Sequence, residues 1–262
     1  MAKKPPVSAL LDLSGQTALV TGASGGIGAG IAARLAEAGA SVAVHFRGDD
    51  VGAAKTLAAI EGVGGTARLF KADLGEEATV SRLIDGVTGD LGLPTIAVNN
   101  AGVQPVVPLA QMTFEQWQSV TQTNLNSTYL VTQAVARRLA AAKEPGAIVN
   151  VASIEAFDPA SGHAHYTSSK AGIAMFTRAA ALEYGKDSIS INSVSPGLID
   201  RDGLAQAWPD GVARWKDAAP LMRLGTPDDV ADAVLYLVSP AARWVTGANI
   251  LVDGGMSAKG RW

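Results

Sequence analysis

Short, nearly continuous apolar runs alternate with longer segments of mixed polarity along most of the chain. The runs at residues 16–20, 41–46, 66–71, 95–99, 146–151, 188–194 and 245–252 have strand length. They read as strands, and Ile148–Val151 as a short buried one. The intervening segments 27–38, 50–61, 76–88, 113–143 and 227–237 read as helices, as does the segment that carries Tyr166 and Lys170 and runs to about Tyr184. Gly39 stops the first helix, and Thr226 before Pro227 is a good start for the last. Asn124-Leu125-Asn126 interrupts the longest helical segment, since Asn is a poor residue for a helix interior. Strictly alternating strands and helices predict an α/β fold, a doubly wound seven-stranded parallel sheet of the Rossmann type with helices on both faces. Residues 1–12 read as a loose lead-in, and 200–222 is the least regular stretch.

Composition narrows the class. A chain of 262 residues with 48% apolar content suits one domain, 1–262, with a large core. A formal charge of −3 implies no broad basic field, so no nucleic-acid partner is expected. The chain has no cysteine, which excludes a disulfide scaffold, a thiol nucleophile and a cysteine metal site. His163 and His165 have no convincing third ligand, so no metal is expected. No run of 18 apolar residues is present and the N-terminus lacks an apolar signal core. No membrane partner and a cytoplasmic location are therefore expected.

The first chemical signal is Thr21-Gly22-Ala23-Ser24-Gly25-Gly26-Ile27-Gly28, directly after the first strand. Strand, glycine turn, helix and strand make a dinucleotide-binding unit. Gly22, Gly26 and Gly28 let the backbone approach a ligand, and the helix start around Ser24 and Ile27 offers N–H groups to a pyrophosphate. A carboxylate at the end of the second strand would hold an NAD ribose. Here the run is His45-Phe46-Arg47, with Phe46 in that place. The rigid fork of Arg47 suits a 2′-phosphate, so NADP(H) is expected and NAD(H) is the second choice. His45 either helps there or caps the strand end. Asp49 and Asp50 start the next helix.

The second signal is Ser153, Tyr166 and Lys170. Ser153 follows a strand, and Tyr166 and Lys170 share one helix face at a spacing of four. A cation beside a phenol favours phenolate, allowing proton exchange with a carbonyl or alcohol oxygen near neutral pH. Ser153 can donate a hydrogen bond to that oxygen.

With these motifs, almost the whole chain resembles the short-chain dehydrogenase/reductase family. The resemblance implies an enzyme, an NADP(H)-dependent ketoreductase or alcohol dehydrogenase. It implies that Asp73 and Leu74 flank the adenine; Asp73 reads equally as a helix cap. It implies that Asn99-Asn100-Ala101-Gly102 lies at the nicotinamide end, with the asparagines mostly structural. Asn124 would complete a proton relay with Lys170 through a water, and Lys170 would hold the nicotinamide ribose. Pro196 and Gly197 would pack near the nicotinamide, with the Ile199 backbone available to its carboxamide. The usual Thr after them is missing, and Asp200-Arg201-Asp202 stands there instead. A lid is expected at about 198–225. A homotetramer is implied, with a dimer second, and Trp262 is a candidate contact to a neighbouring subunit.

Substrate candidates are Glu155, Phe157, His163, Leu204 and Trp208. Glu155 suits hydroxyl groups, while Phe157, Trp208 and Met222 suggest a partly apolar pocket. Ketone reduction is the expected reaction. The alternatives are reduction of a 3-oxoacyl thioester on acyl carrier protein, or sugar and polyol oxidation of the glucose 1-dehydrogenase type. Acidic Glu144 and Asp187 weigh against an acidic carrier protein.

Overall fold

A computed structural model describes residues 5–258; Trp262 lies outside them. Strands β1 (Thr17–Val20), β2 (Ser41–Phe46), β3 (Thr66–Lys71), β4 (Ile96–Asn99), β5 (Gly146–Val151), β6 (Ile189–Pro196) and β7 (Asn249–Val252) form one sheet in the order β3-β2-β1-β4-β5-β6-β7. Every neighbouring pair is parallel. The order reverses between β1 and β4, so the connections leave opposite ways and a crevice opens at the strands' C-terminal ends.

The alternation within the strands explains the two-sided core. In β1, Ala18 and Val20 face one layer and Leu19 the other. The first layer is closed by Ile31 and Leu35 of helix α1 (Gly26–Glu37) and by Val230 and Val234 of helix α9 (Pro227–Val238). The second is closed by Val80 and Ile84 of α3 (Glu77–Leu91) and by Val131 and Leu139 of α5 (Ser127–Ala142). Each such fully buried side chain contributes about 1.5–3 kcal/mol of burial. Helix α2 (Asp50–Gly62) starts at Asp49, whose carboxylate accepts from the Gly52 N–H at 2.9 Å. Helix α9 starts as read, with Thr226 as cap and Pro227 in its first turn.

Three expectations change. The helix predicted over 113–143 is α4 (Phe114–Thr121), a five-residue π-helical turn (Gln122–Asn126) and α5. The wide turn carries Asn124 inward, fully buried. The strand predicted over 245–252 shortens to β7. The irregular 200–222 stretch contains α7 (Leu204–Ala207) and α8 (Pro209–Ala218). This excursion is closed at its base, where Ile199 bridges Gly225. The Asp200 N–H donates to the Gly225 carbonyl at 2.7 Å, and the Gly225 N–H to Leu198 at 3.0 Å. Leu204, Val212 and Leu224 give it a small core of its own, with Leu198 and Trp215 against it.

Candidate active site

One cleft runs along the C-terminal edge of the sheet. It is lined at one end by the glycine loop and Arg47, and at the other by Ser153, Tyr166, Lys170 and the 198–215 segment.

The glycine loop is held by a polar network. Thr21 Oγ1 accepts from the N–H groups of Asn100 (3.0 Å) and Ala101 (3.1 Å). Asn100 Nδ2 donates to the carbonyls of Thr21 (3.0 Å) and Gly22 (2.9 Å). His45 is buried beneath the loop. Its Nδ1 accepts from the Gly22 N–H at 3.2 Å and its Nε2 donates to the Ala72 carbonyl at 3.2 Å. Burial pushes His45 down to about 4, so the ring is neutral and carries its proton on Nε2. His45 lines the cleft and also links the loop to the residue after β3.

The glycines divide into two roles. A Cβ on Gly28 would stand 2.3 Å from the Gly22 carbonyl oxygen and 2.5 Å from Asn100 Nδ2, and one on Gly22 would stand 2.8 Å from Ala101 Cα. Gly28 is glycine because the loop packs against its neighbours, and Gly22 for that reason and for its φ of 63°. Gly26 has φ 53° and, like Gly25, would point a side chain into open space. Here the backbone of α1's first turn is bare toward the cleft. That bare turn fits a dinucleotide pyrophosphate.

At the far end Phe46 is buried, and Arg47 is exposed on the cleft wall without an ion pair or hydrogen bond among the described residues. Nearby Lys71 is engaged with Asp50 at 2.9 Å. Asp73 and Leu74 line the cleft. Asp73 does not cap α3: Glu76 holds that position, and Asp73 Oδ1 instead accepts from Gly75 N–H at 2.9 Å.

Ser153, Tyr166 and Lys170 do come together. Ser153, just past β5, is buried, and its Oγ accepts from the Glu155 N–H at 3.1 Å. Tyr166 and Lys170 lie on α6 (Ala164–Tyr184), with Lys170 Nζ 5.6 Å from the phenol ring centre. Lys170 Nζ donates to the Val151 carbonyl at 2.7 Å, and burial brings its ammonium down to about 8. Tyr166 is pushed up to about 12, first by burial and further by the charge of Glu155; its hydrogen bond with Ser153 acts the other way. The expectation that the lysine lowers the phenol's pKa is not met here: burial, and not the Lys170 charge, sets the direction. Tyr166 is a protonated phenol at neutral pH, the form that donates a proton.

Asn124 sits behind this group. Its Oδ1 accepts from the Val103 N–H (2.8 Å), and its Nδ2 donates to the Val103 carbonyl (3.0 Å) and to Ser169 Oγ (3.1 Å). Gly102 lies between Asn124 and Lys170: a Cβ there would be 3.2 Å from Asn124 Oδ1 and 3.7 Å from Lys170 Nζ. Asn99 ties β4 to α5 and β5 through Thr132 (2.9 Å) and Asn150 (2.8 Å). Ala101, Pro196, Gly197 and Ile199 line the cleft between the two ends.

Of the substrate candidates, Glu155, His163, Leu204 and Trp208 line the cleft. Phe157 does not: it is 56% exposed and outside the lining, because the short turn after Ser153 carries it outward. Met222 is also outside, 72% exposed at a positive-φ turn. Sequence reasoning missed Gln104, which stands on the cleft wall and donates to Glu155 Oε1 at 2.8 Å. Its position two residues after Gly102 was the available signal.

Residues 22–257 match the family described as enoyl-(acyl carrier protein) reductase. The chain is 36% identical over 248 residues to 3beta-hydroxysteroid dehydrogenase 1 of Eggerthella lenta, covering 94% of this chain and 95% of that one. It is similar to a short-chain type dehydrogenase/reductase from Mycobacterium marinum, with TM-score 0.90, 37% identity, and 97% and 100% of the two chains covered. It is also similar to a gluconate 5-dehydrogenase from Burkholderia cenocepacia in complex with NADP and tartrate, with TM-score 0.89, 30% identity, and 96% and 99% covered. Other relatives are named as 3-oxoacyl-[acyl-carrier-protein] reductases and as sugar or polyol dehydrogenases. The fold, the glycine loop and the Ser153, Tyr166, Lys170 group define a nicotinamide-dependent oxidoreductase, and the chain belongs to the short-chain dehydrogenase/reductase family.

Proposed function

We propose that this chain reduces a ketone to a secondary alcohol with NADPH. The observation that carries the reading is the meeting of Ser153, Tyr166 and Lys170 in the same cleft as the bare first turn of α1. The reduced cofactor supplies the hydride for the carbonyl carbon. Tyr166 gives its proton to the carbonyl oxygen, and Ser153 hydrogen-bonds that oxygen and holds it in place. Lys170 holds the ribose hydroxyls and, through Asn124 and water, returns a proton to Tyr166. Arg47, whose guanidinium stands on the cleft wall, would hold the phosphate-bearing ribose. Bound NADP in the gluconate 5-dehydrogenase relative supports that choice.

Asp73 and Leu74 flank the adenine. Asn100, Ala101, Gly102, Pro196 and Gly197, which line the cleft, would hold the nicotinamide end, with the Ile199 backbone available to its carboxamide. The 198–225 segment, hinged on the Ile199–Gly225 bridge, acts as the lid. The thioester reading draws on relatives that carry that name; Glu144 and Asp187 disfavour an acidic carrier, while exposed Lys143 and Lys186 beside them partly offset that charge. A homotetramer is supported by exposed Met175 and Leu182 on α6 and Tyr129 on α5; light scattering of the purified chain should return four times the monomer mass.

Initial rates against ketones, sugars and acyl thioesters, each with NADPH and NADH, test the function. Ketone turnover with NADPH is expected. Turnover of thioesters alone, or an NADH preference, would replace this reading.

A further inference from the structure

Beside the reacting groups stands a polar cluster that ketone reduction itself does not use. Glu155 Oε1 accepts from Gln104 Nε2 at 2.8 Å. Its Oε2 accepts from His163 Nδ1 at 2.8 Å and from Thr167 Oγ1 at 3.5 Å. The Glu155 and His163 side chains are only 15% and 14% exposed. The cluster draws together the segment after β4, the turn after β5 and the start of α6. The backbone supports the same junction, where the Val107 N–H donates to the Gly162 carbonyl at 2.9 Å.

The cluster faces the chemistry. Gln104, Glu155 and His163 line the cleft together with Ser153 and Tyr166. The His163 ring meets the Tyr166 ring edge-on at 6.1 Å. Once Glu155 has taken one hydrogen from each neighbour, two polar atoms are left without a partner among the described residues. They are Gln104 Oε1 and His163 Nε2. Gln104 Oε1 and the remaining lone pair of Glu155 Oε1 are acceptors, while the role of His163 Nε2 follows the ring's tautomer. The cluster therefore offers acceptors to a group that carries its own hydrogen.

Building on the ketone-reductase reading, we infer that Gln104, Glu155 and His163 select a neutral substrate with a hydroxyl next to the reacting carbonyl. A hydroxyl donates to one of these acceptors while the carbonyl oxygen meets Ser153 and Tyr166. An unsubstituted ketone or an acyl chain leaves the acceptors unpaired when it excludes water. A sugar acid meets the charge of Glu155, with exposed Asp200 also on the cleft wall. The apolar wall of Leu198, Leu204 and Trp208 opposite takes the carbon face of the molecule.

The test compares 3-hydroxybutan-2-one with butan-2-one, using the full chain and NADPH. The wild type should favour the hydroxy ketone in kcat/KM by at least about 10-fold, since such a site discriminates against the analogue lacking the hydroxyl. Glu155→Ala should erase most of that preference, and Glu155→Gln should keep part of it. NADPH binding, followed by cofactor fluorescence, reports whether each variant is folded. If Glu155→Ala fails that control, Gln104→Leu at an exposed position carries the same expectation. Turnover without a preference in the wild type, or a preference that survives in the folded variants, overturns the inference alone. NADPH binding by a wild type that turns over no carbonyl overturns the reductase reading and this inference with it.

Discussion

The two ends of the cleft are built differently. At the glycine-loop end, backbone groups do the positioning. Thr21, Asn100 and His45 spend their side chains on N–H and carbonyl groups of the loop and its neighbours. At the substrate end, side chains hold side chains, as in Gln104–Glu155–His163, under an excursion with its own small core. A backbone-built site depends little on residue identity beyond its glycines and its anchors. A side-chain-built site changes with each substitution. One scaffold can therefore keep its cofactor chemistry while its substrate varies, as the names of the relatives do.

The sharpest way to separate the ends is Tyr166→Phe. It should lower kcat by about 10²–10⁴-fold, the usual range for a general acid, and leave NADPH affinity close to wild type in a fluorescence titration. Full activity in that variant would remove Tyr166 from the reaction. Arg47→Ala should act at the other end. Losing a charge-assisted contact of about 1.5–3 kcal/mol should cut the preference for NADPH over NADH roughly 10- to 100-fold. A KM ratio that does not move would show that Arg47 faces only solvent.

The response to pH sharpens the same contrast. Because Tyr166 is raised to about 12, its phenol is protonated through the neutral range. Reduction needs that form, so its rate should show no loss from Tyr166 ionisation between pH 6 and about 9. Alcohol oxidation needs the phenolate, whose fraction rises about tenfold per pH unit below the pKa, so oxidation should climb with pH. An oxidation rate that peaks near pH 7 would contradict the burial argument. The smallest effect is expected from Gly28→Ala. A Cβ 2.3 Å from the Gly22 carbonyl oxygen forces the loop to shift, at about 1–3 kcal/mol. Thermal unfolding should register it as a lower Tm, together with weaker cofactor binding. An unchanged Tm would mean that the loop is looser than its hydrogen bonds imply.

The parts legible beforehand were those with a short-range signature. Tyr166 and Lys170 share a face because a helix brings residues four apart together. The glycine loop announced itself by spacing after an apolar run, and the interruption at Asn124 by a residue ill suited to a helix. The link that His45 makes between the loop and the end of β3 was not legible, because its partners, Gly22 and Ala72, lie 23 and 27 residues away. Gln104 was missed for the same reason, its partner Glu155 being 51 residues on. Phe157 looked like a pocket residue by type, yet the three-residue turn Ile154–Ala156 carries its side chain outward.

By itself, then, the order of residues determined the strand–helix alternation, the dinucleotide unit and the identity of the reacting groups. These rest on periodicity and on residue chemistry, which are local properties. Only the tertiary structure decided that burial raises Tyr166 above the ordinary phenol range, that two loop glycines serve packing, and that Glu155 is shared between Gln104 and His163. Those outcomes depend on burial and on contacts between distant segments, which exist only once the sheet has closed over both layers of its core.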